Sequence, residues 1–114
     1  MSGRRSRRKG HDWEREIARR LRPIFGEHVR RGLQYQDGSD APDVIVPCFH
    51  IEAKVGARPP IIQALEQAEK NAKPGLWPVA ICKQDRQPPT VTMRFEDWLE
   101  LIGAWWRETG GRSQ

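Results

Sequence analysis

Apolar residues recur along three stretches of the chain at the spacing of a helix that buries one face. In residues 11–25 the apolar positions Trp13, Ile17 and Leu21 lie four residues apart, which is typical of an amphipathic helix. Residues 61–72 and 95–108 show a similar period. The apolar face of the third helix is predicted to consist of Phe95, Trp98, Leu99, Ile102 and one of the adjacent residues Trp105 and Trp106.

Between these helices, shorter apolar segments predict strands at about residues 28–33, in a hairpin at 43–55, and at 76–83 and 90–95. The segment "QYQDGSDAP" contains Asp-Gly-Ser and Pro, so it is predicted to be a loop without regular structure. The resulting order is αβββαββα. It favours an α/β fold in which a mixed central β-sheet is flanked by helices.

The stretch "PDVIVPCFHIEAK" alternates in a way that places charge on one face of a strand. From Phe49 onward apolar and polar residues alternate, so His50, Glu52 and Lys54 share a face. If this segment forms an antiparallel hairpin, Asp43 lies opposite Glu52, because both are equally distant from the turn. Two carboxylates and an amine would then meet on one side. The alternative is an ordinary solvated strand face. His50 is expected to be a plain surface histidine, and the other possibility is that it donates a hydrogen bond to a residue of the site.

Length and charge restrict the possible functions. The 114 residues are enough for one domain, predicted over 11–109 with a short tail at 110–114. Residues 1–10, "MSGRRSRRKG", are predicted to form a mobile basic arm. With 20 Lys and Arg against 15 Asp and Glu, the net charge is +5, which indicates a polyanionic partner.

The remaining composition excludes several classes of protein. No apolar run is as long as a membrane span, and no apolar segment follows the basic residues at the start of the chain, so no membrane association is expected. The two cysteines have no CxxC spacing, which argues against a zinc site or a disulfide framework. A cytoplasmic location is therefore expected.

Two helical positions, Glu14 and Gln67, become candidate site residues only in combination with the hairpin. Glu14 follows Trp13 at the edge of the apolar stripe of the first helix, so it can point toward the sheet. Gln67 holds a similar position between Leu65 and Ala68. Taken singly, both residues are expected to be ordinary residues of a helix surface.

Four of these segments, in this order, resemble the motifs of a known family. The segments "RKGHDWEREIARRLR", "GSDAPDVIV", "HIEAK" and "EQAEK" look like those of the archaeal-type Holliday junction resolvases, which belong to the PD-(D/E)XK nuclease superfamily and have compact relatives in phages. The resemblance covers residues 8–67, with a weaker similarity in "FEDWLELI". It implies a restriction-endonuclease-like core. After Lys54, "VGARPP" carries fewer basic residues than this family leads us to expect.

The resemblance also implies a set of site residues. Lys54 would be catalytic, Gln67 would match a glutamine of the family, and Mg²⁺, with Mn²⁺ as an expected substitute, would be the cofactor. The implied catalytic residues are Glu14, Asp43, Glu52, Lys54 and Gln67, and the implied metal ligands are Glu14, Asp43, Glu52 and the backbone carbonyl of Ala53.

Further residues are candidates for contacts with DNA or with a second copy of the chain. The arm would bind phosphates or serve only as a solubilising tail. Of Arg30 and Arg31, at most one is expected to face the cleft. Trp105 and Trp106 point about 100° apart on a helix, so both cannot enter one core, and a dimer contact or base stacking is expected. The candidate DNA-binding residues are Arg4, Arg5, Arg7, Arg8, Lys9, Arg30, Arg31 and Ser39.

Together these patterns predict a Mg²⁺-dependent DNA endonuclease that prefers branched or four-way DNA and acts as a homodimer in the cytoplasm of a prokaryote or of a virus's host. One alternative is a nonspecific, flap-directed or end-directed nuclease of the same fold. A non-enzyme alternative is a nucleic-acid-binding module that has lost its activity.

Overall fold

The computed structural model of the protein describes residues 2–111, which form a five-stranded mixed sheet with helices on both faces. This confirms the α/β class and the mixed sheet flanked by helices. The order of elements differs from the prediction by one additional short helix. In chain order the elements are α1 (Ser2–Phe25), β1 (Arg30–Arg31), α2 (Gln34–Asp37), β2 (Val44–Ile45), β3 (Phe49–Gly56), α3 (Ile61–Asn71), β4 (Trp77–Gln84), β5 (Thr90–Thr92) and α4 (Phe95–Glu108).

The sheet has the strand order β1-β2-β3-β4-β5. Strands β3 and β4 are parallel and are joined through α3, whereas the other neighbouring pairs are antiparallel. Val44 pairs with Ile51 and Ile45 pairs with His50. Continuing this register by one residue brings Asp43 opposite Glu52, as the sequence predicts.

Both faces of the central strand β3 are covered by helices. On one face, Trp13 and Ile17 of α1 pack in one cluster with Ile51. On the other face, Leu65 of α3 packs with Ala80, the residue of β4 that pairs with Glu52. Because side chains alternate along a strand, the charged face of β3 lies under α3.

Helix α1 is longer than the sequence predicts. Residues 1–10 are expected to form a mobile arm, but the structure continues α1 through residues 2–10. Arg is a good helix former, and the Lys9 ammonium lies 2.6 Å from the carboxylate of Asp85, just after β4. The expected boundary at residue 11 therefore falls inside a helix. Met1 and residues 112–114 lie outside the described part of the chain.

Helix α2 corrects a second expectation, because it lies in the segment predicted to lack regular structure. The Asp37 carboxylate accepts a hydrogen bond from the backbone N–H of Leu33 at 2.8 Å and two from the Arg30 guanidinium, both at 2.9 Å. The hydrogen bonds from Arg30 and, to a smaller extent, the one from Leu33 lower the pKa of Asp37 to about 2. The carboxylate therefore stays charged, and it holds this single turn of helix in place.

Helix α4 does not enter the core, although its apolar face is predicted to do so. None of its residues is buried, and Phe95 is 66 % exposed. Trp105 and Trp106 are both exposed and their ring centroids lie 6.2 Å apart. The spacing of apolar residues identifies the apolar face of this helix but does not specify which surface covers that face. No helix within residues 2–111 has both the length and the apolar character needed to cross a bilayer.

A close backbone approach positions the segment that carries Asp43. The N–H of Gly32 donates to the carbonyl of Asp43 at 2.9 Å, and a Cβ on Gly32 would overlap the carbonyl oxygen of Pro42. We expect Gly32→Ala to lower the free energy of unfolding by about 1–3 kcal/mol, measured by urea denaturation.

Gly10→Ala is the matched control. Gly10 lies inside α1, and a Cβ there would meet nothing within 4 Å, so this change should raise the stability by up to about 1 kcal/mol. Equal stability of Gly32→Ala and the wild type would contradict the close approach. A destabilised Gly10→Ala variant would contradict a helix through residue 10.

Candidate functional site

The carboxylate of Asp43 is held against the middle of β3. Asp43 immediately precedes β2, and its N–H donates to the carbonyl of Ile51 at 2.8 Å. Its Oδ2 atom accepts a hydrogen bond from the N–H of Ala53, also at 2.8 Å. The side chain is thus fixed beside the residue that follows Glu52 in β3.

Three charged side chains predicted for the site lie within electrostatic reach of the fourth, Asp43. Burial raises the pKa of Asp43, and its hydrogen bond from Ala53 opposes that effect. The negative charges of Glu52 and Glu14 raise this pKa further, whereas the positive charge of Lys54 lowers it. The resulting pKa is about 7. The structure therefore brings Glu14, Asp43, Glu52 and Lys54 together at one end of the hairpin.

Glu52 has a buried partner, His50. His50 is only 2 % exposed, and its Nε2 atom lies 3.3 Å from Oε2 of Glu52, which is itself 6 % exposed. The expectation that His50 is a plain surface residue is wrong, because α3 covers this face of the strand. The strict alternation of polar residues opposite an amphipathic helix was the signal available in the sequence.

Glu14 is paired with a cation. Its Oε1 atom accepts a hydrogen bond from Nε of Arg31 at 2.9 Å, and the two side chains are 14 % and 20 % exposed. Arg30 is instead bonded to Asp37. Of the two adjacent arginines, Arg31 is therefore the one that faces the site, because neighbouring residues of a strand point to opposite sides.

Other predicted residues lie apart from this cluster. Gln67 is exposed on α3 and Ser39 is exposed in the turn after α2, and neither makes a hydrogen bond with the four charged side chains. The basic residues at the start of α1 are exposed, and Lys9 among them is engaged with Asp85. The others are Arg4, Arg5, Arg7 and Arg8.

The acidic residues could contribute to a metal site but do not form a complete one by themselves. Within residues 2–111 no three His, Cys, Asp or Glu side chains lie close enough together to hold a metal ion. Asp43 and Glu52 nevertheless supply carboxylate oxygens, and Mg²⁺ is commonly held by one or two carboxylates together with water. Burial, followed by the negative charges of Glu52 and Glu14, raises the pKa of Asp43, and a bound cation would stabilise its charged form.

A cavity of about 360 Å³ opens beside Glu14 and Asp43. Sequence reasoning identifies only three of its lining residues, Glu14, Arg31 and Asp43. Its other lining residues come from α1, from the end of the predicted strand at 28–33 and from the start of the predicted loop. They are His11, Gly32, Leu33, Gln34 and Tyr35.

The assignment of this site rests on the chain's own residues. No family model, curated protein or solved structure matches it.

Asp43→Asn should make the stability of the protein less dependent on pH. The folded pKa of about 7 lies above the ordinary value of 3.8, so Asp43 contributes stability below about pH 4 that is lost as the pH rises through 7. Asn has no charge to bury and can still accept the hydrogen bond from Ala53. Above pH 7 this variant should be more stable than the wild type by roughly 1–3 kcal/mol.

The measurement is urea denaturation of both proteins at about pH 5 and about pH 8. Asp40→Asn is the control, because Asp40 is an exposed carboxylate in the preceding turn. Parallel pH profiles for the wild type and Asp43→Asn would show that Asp43 has no raised pKa.

Proposed function

We propose that this protein is a Mg²⁺-dependent endonuclease that hydrolyses phosphodiester bonds in DNA and has a restriction-endonuclease-like core. The observation that carries the proposal is the convergence of Asp43, Glu52 and Lys54 on one hairpin, with the pKa of Asp43 raised to about 7. Carboxylates that share a partly buried site with an amine are suited to binding a cation and a phosphate at the same place.

Asp43 and Glu52 would hold the metal, together with the backbone carbonyl of Ala53. Mg²⁺ bound there would supply a Lewis acid for the phosphate and acidify a water molecule. His50 orients Glu52 by contacting its Oε2 atom, which leaves the Oε1 atom available. Glu14 contributes charge to the site, but its bond with Arg31 argues against direct coordination unless that pair separates.

Lys54 is the proposed catalytic cation. It is exposed, and within residues 2–111 it makes no ion pair. Its ammonium can therefore donate a hydrogen bond to the attacking water or to a phosphate oxygen, where negative charge grows during hydrolysis. Gln67 is exposed on α3, so a contact with this ammonium would require its side chain to reach the site on substrate binding.

The DNA contacts proposed for α1 follow from its charge. Its first turns carry exposed Arg side chains on a chain with a net charge of +5, and such side chains bind phosphates without reading sequence. Arg31 would contribute at the site itself. Arg30 and Ser39 would play a smaller part, because Arg30 is already bonded to Asp37 and Ser39 lies in the turn beyond it.

The preference for branched or four-way DNA is proposed together with a homodimer. Resolving a four-way junction requires nicks on two opposing strands and hence two active sites. Five large apolar side chains of α4 are between 41 and 66 % exposed. At roughly half of 150–250 Å² each, they would supply on the order of 500 Å² of the approximately 800 Å² that one partner buries in a standard interface.

One observation favours a second candidate, a nucleic-acid-binding module without activity. Within the described residues no group of three metal-binding side chains is assembled, and Glu14 is already neutralised by Arg31. Such a module would bind DNA through the same basic surface but would not hydrolyse it.

Removing either proposed metal-binding carboxylate should abolish cleavage. We expect Asp43→Asn and Glu52→Gln each to reduce Mg²⁺-dependent cleavage of supercoiled, flapped or four-way DNA by at least about a hundredfold. The wild type should also gain thermal stability from Mg²⁺ above pH 7, and Asp43→Asn should lose that gain. The control is Glu66→Gln, an exposed residue of α3. Full activity in Asp43→Asn would refute the site, and DNA binding without cleavage by the wild type would favour the inactive module.

The double change of Trp105 and Trp106 to Ala should convert the proposed dimer into a monomer. These side chains are 60 and 41 % exposed and lie against each other, and aromatic residues are favoured at interface centres. Sedimentation at micromolar concentration measures the outcome. Ile62→Ala is the control, because Ile62 is 54 % exposed on α3. A wild type that remains monomeric on junction DNA would refute the dimer and leave the nuclease proposal intact.

A further inference from the structure

Tyr35 occupies an unusual position for the one tyrosine of the chain. It lines the cavity of about 360 Å³ beside Glu14 and Asp43, yet its surface is 84 % exposed. A side chain with both properties lies at the rim of a cavity, with most of its ring accessible. A cavity of this size is large enough for one small organic group.

The short helix that carries Tyr35 is held firmly. Asp37, two residues further on, binds both the Leu33 N–H and the Arg30 guanidinium, and the N–H of Gly38 donates to the carbonyl of Gln34 at 3.0 Å. The ring is therefore presented from a backbone that is fixed at both ends of one turn. Stacking on such a ring does not require the backbone that carries it to become ordered.

The same cavity offers a place for a phosphate. Arg31 lines it and binds Glu14 through Nε alone, and within residues 2–111 its Nη1 and Nη2 atoms make no hydrogen bond. Neither atom is a buried polar group without a partner, so both are open to solvent. A guanidinium whose two terminal NH₂ groups are not hydrogen-bonded is well suited to binding phosphate oxygens.

We infer that this cavity binds one unpaired nucleotide of a DNA strand, with its base stacked on Tyr35 and its phosphate bound by Arg31. The inference deepens the proposed function, on which it rests, by naming the feature of the substrate that the site selects. A base inside a duplex is stacked on both sides and cannot reach the ring. Only a nucleotide at a branch, a gap or a single-stranded end is free to do so.

The test measures binding of two DNA probes without Mg²⁺. One is a duplex with a short single-stranded extension, and the other is the same duplex fully paired. A fluorescent adenine analogue in the extension reports stacking. The variants are Tyr35→Ala, Tyr35→Phe, which keeps the ring, and Ile62→Ala, which removes an exposed apolar side chain of α3 that is 54 % accessible. Circular dichroism checks that all of them fold.

The wild type should bind the extended probe more tightly than the paired one and change the fluorescence of the analogue. Tyr35→Ala should reduce that preference by roughly five- to a hundredfold and abolish the fluorescence change. Tyr35→Phe and Ile62→Ala should retain both. Removal of the ring should leave binding of the paired duplex unchanged, because Tyr35 is not needed for contacts with duplex phosphates.

Two results would overturn the inference. One is a Tyr35→Ala variant that keeps the preference and the fluorescence change, and the other is a wild type that binds both probes equally. Neither result bears on whether Mg²⁺ promotes cleavage by the wild type. Conversely, a wild type that shows the Tyr35-dependent preference but never cuts DNA would support the cavity and refute the nuclease proposal.

Discussion

The hydrogen bond from the Ala53 N–H to the Asp43 carboxylate is the contact on which the candidate site depends. It ties the segment before β2 to the centre of β3, so the two carboxylates at the open end of the hairpin cannot move apart. Gly32 permits that segment to approach β1 closely. The salt bridge between Arg31 and Glu14 and the cavity that these residues line with Asp43 are next to this contact.

The three acidic residues of the site are compensated in three different ways. Glu14 has a salt bridge with Arg31, and Glu52 has a buried histidine. Burial and two neighbouring negative charges act on Asp43, and only a backbone N–H and the charge of Lys54 oppose them, so its pKa rises to about 7. Asp43 is therefore the residue whose charge state a bound cation would change most. This imbalance makes the cluster a candidate for metal binding, although each of its three carboxylates has a hydrogen-bonding partner.

Two exposed features lie outside this cluster of charged side chains. The apolar face of α4 contributes nothing buried to the core, and Tyr35 leaves most of its ring accessible above a polar cavity. Large exposed aromatic side chains are most informative when they border a polar pocket or form a continuous patch. The first feature suits a second protein chain and the second suits a base, because a wide apolar face and a single ring at a charged cavity favour different partners.

The sequence by itself determined the parts of the structure that depend on short-range periodicity. The alternation in β3 and the equal distances from the turn led to the register of Asp43 and Glu52, and the four-residue period led to the packing face of α1. What covers each face was decided only by the tertiary structure. The burial of His50 depends on α3, and the large apolar side chains of α4 stay exposed because no other element within the described residues buries them. The helix through residues 2–10 is anchored by Asp85, 76 positions away from Lys9. Contacts between residues so distant in the chain leave no local pattern, because periodicity records which side of an element is apolar and not what lies against it.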